Sequence, residues 1–238
     1  MSIAVICPAL NEEASVGTVV AQIPVDQVDE ILVVDNGSTD HTAEVAVRAG
    51  ATVISQSLRG YGAACLAGAQ AAQSEILVFL DADGSFDPSE IMRLTEPLVD
   101  RTADLVLGSR TMSGTRSVLP HQRFGNWLAT RLMSLFSGIA VTDLGPFRAI
   151  RRNVLLQLGM SEMTYGWPIE MVILAHRAGY RLMEVPVSYG PRLGGESKVS
   201  GTIKGSVRAG YCILATVARS ARRTPIRVSD GSTGGSDV

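Results

Sequence analysis

Two aspartates one residue apart, Asp81 and Asp83, are the residues whose spacing most directly points to chemistry. They follow Glu75-Ile76-Leu77-Val78-Phe79-Leu80, which reads as a buried strand, and precede Gly84-Ser85. Residues i and i+2 of an extended chain point the same way, so both carboxylates can face one point. Like charges held that close repel unless a cation lies between them. Mg2+ or Mn2+ takes hard oxygen ligands, often one or two carboxylates completed by substrate phosphates. The pair reads as a metal site presented to a diphosphate. Asp, Gly and Ser are also ordinary turn residues, and a plain turn is the competing reading.

Such a pair needs a sheet to hold it, and the chain supplies one. Apolar runs at Ile3 to Cys7, Ile31 to Val34, Ala51 to Ser55, 75–80 and Asp104 to Gly108 alternate with helical stretches near 12–22, up to Ala49, 63–73 and from Asp87. Strands alternating with helices predict an α/β domain, a mostly parallel sheet with helices on both faces. In such sheets ligands bind beyond the carboxyl ends of the strands. Pro8, Asp35, Asp81 and Ser109 all fall at strand ends. The later chain predicts a basic loop over 110–122, a helix over 123–137, a bend and short strand over 145–150, a helix over 167–178 and an edge strand over 181–187.

Composition narrows the function classes. The 238 residues, 46% hydrophobic, suit one domain with an appendage. A net charge of −2 gives no global attraction to nucleic acid. Cys7, Cys65 and Cys212 have no metal or disulfide spacing, which fits a reducing, cytoplasmic compartment. His41, His121 and His176 share no metal spacing either. No basic leader precedes the first strand, and no apolar run reaches the ~18 residues of a spanning helix.

Four segments in order, Pro8-Ala9-Leu10-Asn11-Glu12-Glu13, Val34-Asp35-Asn36-Gly37-Ser38-Thr39-Asp40, Arg59-Gly60-Tyr61-Gly62-Ala63-Ala64 and Asp81-Ala82-Asp83, resemble glycosyltransferase family 2, inverting enzymes with the GT-A nucleotide-sugar fold. Gly108-Ser109-Arg110, Gly145-Pro146-Phe147-Arg148, Glu184-Val185-Pro186-Val187 and Gly195-Glu196-Ser197-Lys198 resemble the branch typified by dolichyl-phosphate mannose synthase and polyprenyl-phosphate sugar transferases. The chain departs from that branch in the closer spacing of Asp143 and Arg148 and in Pro146, where the branch has Gly. The resemblance implies a donor site at Pro8, Leu10, Glu12, Asp35, Gly37, Arg59 and Gly60. It implies a divalent metal on Asp81 and Asp83, Asp83 and Asp143 among the catalytic groups, and Lys198 closing over the diphosphate.

The acceptor is a separate inference. A sugar hydroxyl needs a carboxylate to take its proton. Relatives carry a Glu-Asp pair at the start of a late helix, but here Ile169-Glu170-Met171 has no Asp beside Glu170. A phosphate acceptor is already ionised and needs cations instead, and Arg110, Arg123 and Arg148 are available. This favours a polyprenyl phosphate acceptor and a GDP-mannose or UDP-glucose donor; a soluble acceptor is the alternative. Apolar stripes at Phe124 to Phe136 and Val199 to Ala218, with basic residues from Arg219, fit helices at a membrane surface, in a dimer, against a membrane partner, or on the domain's own core. The expected organisation is a catalytic domain over 1–198 (donor half to about 110), an amphipathic basic helix over 199–223 and a disordered tail over 224–238. The protein would lie peripherally on the inner face of the cell membrane.

Overall fold

The computed structural model describes residues 1–113, 120–194 and 215–216. Arg116, Lys198, most of the 199–223 segment and the 224–238 tail lie outside the described residues, as does the side chain of His121.

Seven strands form one sheet: β1 (Ile3–Ala9), β2 (Glu30–Asp35), β3 (Thr52–Ser55), β4 (Ile76–Phe79), β5 (Leu105–Ser109), β6 (Arg148–Arg151) and β7 (Leu182–Pro186). Their spatial order is β3-β2-β1-β4-β6-β5-β7. β1 pairs parallel with β2 and β4, and β2 with β3. β5 pairs parallel with β7, while β6 runs antiparallel between β4 and β5. The helices are α1 (Val16–Gln22), α2 (Thr42–Arg48), α3 (Tyr61–Ala71), α4 (Ile91–Val99), α5 (Pro120–Ser137), α6 (Arg152–Gln157) and α7 (Trp167–Arg177).

Strand alternation divides the core into two layers. Ala4, Ile6, Leu77 and Phe79 pack with α3, α6 and α7 on one face. Ile3, Val5, Ile76 and Val78 pack with α1, α2 and α4 on the other. The central strands are buried on both faces, which is why they read as unbroken apolar runs. β7 is an edge strand, as Pro186 at its end predicts.

Three details differ from expectation. α1 starts at Val16 rather than near Glu12, because the chain turns first: Asn11 has φ 54°, and the Glu12 carbonyl accepts from Ser15 N at 3.0 Å and Val16 N at 2.9 Å. α6 directly follows β6 and carries the buried Val154 and Leu155. Among the described residues α5 reaches back to Pro120, three residues before the expected start. No helix among the described residues is long and apolar enough to cross a membrane.

Candidate active site

The carboxyl ends of β1, β2, β4 and β5 and the loop after β7 meet at one edge of the sheet. The loops after β1 and β2 are stitched together. Asn11 N donates to Ser38 Oγ at 2.9 Å, Thr39 N to Asn11 Oδ1 at 2.8 Å and Glu12 N to Thr42 Oγ1 at 2.8 Å. Asp35 accepts Ser38 N at 3.1 Å. Gly37 has φ 81°, and a Cβ there would lie 3.3 Å from the Arg59 guanidinium carbon. Arg59 therefore covers Gly37 beside Asp35. Asn36 fixes the 56–60 loop by donating to the Gln56 and Leu58 carbonyls at 3.0 and 2.8 Å and accepting Gly60 N at 2.8 Å.

Gly60 and Gly62 read in the sequence as glycines that let backbone approach a ligand. In the structure the close approach is to the chain's own 162–163 segment. A Cβ on Gly60 would sit 2.1 Å from the Met163 carbonyl oxygen, and one on Gly62 would sit 2.4 Å from that of Glu162. Ala63 N donates to the Met163 oxygen at 3.0 Å.

Asp81 and Asp83 extend from β4 into this edge. Asp81, largely enclosed, has its pKa pushed up to about 7, first by burial and then by the charge of Asp83. Tyr61 lies close enough to oppose that rise, yet its buried hydroxyl makes no well-formed hydrogen bond. Asp83 is 6% exposed; its Oδ1 accepts Ser85 N at 2.8 Å.

A residue that sequence reasoning passed over closes the site. Arg192 reaches Glu12 Oε1 at 2.5 Å and Asp83 Oδ2 at 2.8 Å, so one guanidinium bridges the ends of β1 and β4. Burial raises the Glu12 pKa from its ordinary value, and Arg192 pulls against that rise. The loop that delivers Arg192 is anchored by Gly190 N to the Ser85 carbonyl at 2.8 Å and Leu193 N to the Asp83 carbonyl at 2.9 Å. Leu193 packs where a side chain on Gly84 (φ 75°) would lie. The available signal was Arg192's place just before the Gly-rich stretch from which Lys198 was chosen.

The four cationic and acidic candidates on the acceptor side separate. Arg110 forks onto Asp143, with Nε to Oδ2 and Nη2 to Oδ1 both at 2.8 Å, and lies over the Tyr189 ring at 5.1 Å. Burial alone would lower the Arg110 pKa; the Asp143 fork outweighs it and raises the value. Among the described residues Arg110 Nη1 has no hydrogen bond, and Arg110 is within electrostatic reach of Asp81. Asp143 is 1% exposed and held in place through Glu184 on β7, which accepts Asp143 N at 3.1 Å and Thr142 Oγ1 at 2.8 Å. Arg123 is exposed on α5. Arg148 goes elsewhere. It is 0% exposed within β6; Nη1 donates to the Pro168 carbonyl at 2.8 Å and Nη2 to those of Leu144 and Gly145. Burial drives its pKa down to about 10. Arg148 thus ties the 144–145 turn to the start of α7, and an acceptor cannot reach it in this conformation.

Glu170, 3% exposed, is also committed. Its carboxylate accepts Ser161 N at 2.9 Å, Ser161 Oγ at 2.8 Å and Glu162 N at 2.7 Å. Thr216, 2% exposed, donates to Glu162 Oε2 at 3.2 Å. At that point the late helical segment touches the domain's own core.

Asp81 and Asp83 fit a divalent cation. Both are hard oxygen donors at the end of one strand, and the charge of Asp83 adds to burial in raising the Asp81 pKa. Among the described residues no group of three or more His, Cys, Asp or Glu could hold a metal by itself, so phosphate or water oxygens would complete the shell.

Comparison with known proteins places the chain in a family. The family model "Glycosyl transferase family 2" matches residues 4–159. An uncharacterised glycosyltransferase of Mycobacterium tuberculosis is 42% identical over 208 residues, 87% of this chain and 94% of that protein. A dolichyl-phosphate hexose transferase of Haloferax volcanii is 35% identical over 81% of this chain and 84% of its own length. An undecaprenyl-phosphate mannosyltransferase of Micrococcus luteus is 32% identical over 86% and 90%. Among solved structures, glucosyl-3-phosphoglycerate synthase from Mycobacterium tuberculosis, in complex with Mn2+, uridine diphosphate and phosphoglyceric acid, superposes with a TM-score of 0.74 at 25% identity, covering 97% of this chain and 80% of that one. The chain is a transferase with the GT-A fold and belongs to glycosyltransferase family 2.

Proposed function

We propose that the protein transfers a hexose, with inversion, from a nucleoside diphosphate sugar to the phosphate of a polyprenyl lipid. The observation that carries this reading is the commitment of both acceptor-side carboxylates. Asp143 is forked by Arg110, and Glu170 is saturated by Ser161 and Glu162. Neither is placed to take a proton from a sugar hydroxyl. A phosphate acceptor needs no such base.

In this reading Pro8, Leu10, Asp35, Gly37 and Arg59 bind the nucleoside end of the donor. Asp81 and Asp83 would hold Mg2+ or Mn2+, which would supply charge neutralisation for the leaving group when bound. Arg192 leaves Glu12 and Asp83 for the diphosphate. An acceptor phosphate oxygen bonds to the anomeric carbon as the bond from that carbon to the diphosphate breaks. The bonding pair leaves on the nucleoside diphosphate, and no proton is transferred. Arg110, aligned by Asp143 and Tyr189, offers Nη1 to an acceptor phosphate, and Arg123 adds a second cation at the site's rim.

The lipid class rests on α5. Its Trp127, Leu128 and Leu135 are exposed, and Arg123 and Arg131 accompany them on the exposed surface. An amphipathic helix with aromatic and basic residues suits the surface of an anionic membrane. The two polyprenyl-phosphate relatives support the same class. A second reading, a soluble phosphorylated acid as acceptor, draws on the solved complex with phosphoglyceric acid. Incubation with labelled donor, Mn2+ and each acceptor, followed by solvent partition, separates the two. Label in the organic phase supports the lipid reading; label confined to the water phase overturns it.

A further inference from the structure

The opposite edge of the sheet holds a second polar site. A cleft of roughly 580 Å³ opens where the chain enters β4, β5 and β7 and leaves β6, lined by Arg101, Arg151, Arg152, Arg181, Asp104 and Glu75 among others. The donor residues lie at the other ends of β1, β2, β4 and β5. A strand of four residues spans about 13 Å, so one ligand phosphate cannot serve both places.

The charge in the cleft is unbalanced. Four guanidinium groups face two carboxylates. Asp104 serves two of the four: Arg181 forks onto it with both contacts at 3.0 Å, and Arg151 Nε lies 3.8 Å away. Glu75 accepts Ser2 N at 3.3 Å and has no arginine partner. Among the described residues Arg101 and Arg152 form no ion pair, and Arg152 Nε is buried with no hydrogen-bond partner. An unsatisfied buried donor is destabilising, and a charged one more so. The cleft is therefore incomplete as it stands, short of roughly two negative charges and of one acceptor at Arg152.

We propose that this cleft binds a phosphate dianion or diphosphate carried by a soluble small molecule, at a site separate from the donor's. Guanidinium groups match phosphate oxygens in bidentate geometry, and a phosphate monoester carries the two charges required. The volume lies within the range of small-molecule sites, with room for an organic group beyond the phosphate. The two free arginines, Arg101 and Arg152, approach from different elements, the turn after α4 and the start of α6, so an anion between them would tie those elements together. A lipid head group offers the same chemistry. The soluble source is favoured because the exposed apolar side chains of α5 are absent from the cleft lining.

Calorimetric titration with inorganic pyrophosphate tests this, in EDTA so that no metal–diphosphate complex can form at Asp81 and Asp83. Arg101→Gln alone, at an exposed turn, and Arg101→Gln combined with Arg152→Gln are compared with the full-length wild type. Each lost charge-assisted contact predicts roughly a tenfold weakening of pyrophosphate binding. Pyrophosphate binding that is undetectable at about 10 mM, or unaffected by Arg101→Gln, overturns the proposal. In a parallel arm, sedimentation with phosphatidylglycerol vesicles should not respond to the double variant. A tenfold loss there with pyrophosphate binding intact would assign the cleft to a lipid head group and overturn the soluble source.

Discussion

Arg192→Gln isolates the role of the cation that bridges Glu12 and Asp83. In the wild type its guanidinium contacts Glu12 at 2.5 Å and Asp83 at 2.8 Å, with the two carboxylate side chains each 8% exposed and Arg192 itself 27% exposed. Removing one partner of a fully buried ion pair costs about 3–5 kcal/mol; the partial exposure of Arg192 brings this to about 2 kcal/mol. For a domain of this size each kcal/mol moves Tm by about 2–4 °C, so the metal-free variant should melt about 4–8 °C below the wild type. Mn2+ should respond in the opposite direction. One positive charge roughly 5 Å from a divalent ion, at an effective dielectric of 40–80, opposes it by about 2–3 kcal/mol. The long side chain can swing aside and relieve part of this, so the predicted gain in Mn2+ affinity is about tenfold or more. Calorimetry or electron paramagnetic resonance of Mn2+ measures the affinity, and melting with and without saturating Mn2+ measures the exchange. Saturating Mn2+ should bring the variant to within about 2 °C of the Mn2+-loaded wild type. An equal deficit with and without Mn2+, or unchanged Mn2+ affinity, would refute the account of Arg192 as the cation that the metal replaces.

Other perturbations separate the remaining roles. The Asp81 pKa of about 7 lies above its ordinary 3.8, so the folded metal-free protein holds a proton there that the unfolded chain has lost. The stability this group contributes is full below pH ~4 and is lost as pH rises to ~7, while Mn2+ affinity should rise about tenfold per pH unit up to ~7 and then level, a slope absent in Asp81→Asn. Arg148→Leu strips the donors from three backbone carbonyls and should lower stability by about 3 kcal/mol by denaturant titration; in the folded fraction the KM for the acceptor should stay within about threefold. Gly60→Ala drives a Cβ to 2.1 Å from the Met163 oxygen at φ 146° and should cost about 3 kcal/mol or prevent folding, read by Tm and soluble yield. Glu170→Gln should lower Tm, because it weakens two backbone contacts, yet leave the shape of the pH–rate profile unchanged; loss of a basic limb would make Glu170 the general base.

The strand ends that carry Asp35, Asp81 and Asp83 were legible because their signals are local. An apolar run followed by Asp-Ala-Asp or Asp-Asn-Gly-Ser states both the strand and the polar loop that ends it, and parallel α/β topology places those ends together. What stayed hidden depends on contacts between distant segments. Arg148 is one of several arginines in the sequence; only the antiparallel placement of β6 between β4 and β5 shows that it is internal and bonded to carbonyls. Gly60 and Gly62 announce a close approach but not its object, which is the 162–163 backbone a hundred residues on. Arg192 gains its meaning from Glu12, 180 positions away, and no periodicity joins the two. Glu170 reads as a helix-start acid whose role stays open until Ser161 and Glu162 are seen to occupy both its oxygens.

The most direct test of the central claim is competition between acceptors that differ only in the phosphate. With labelled donor and Mn2+ present, vesicles carrying polyprenyl phosphate and the unphosphorylated polyprenol in equal amounts are offered together, and the two products are separated and counted. Acceptance of an ionised phosphate oxygen without a general base predicts that essentially all label enters the phosphate-linked product. Transfer to the free polyprenol at a comparable rate would require a base that neither Asp143 nor Glu170 is free to provide, and would contradict the account.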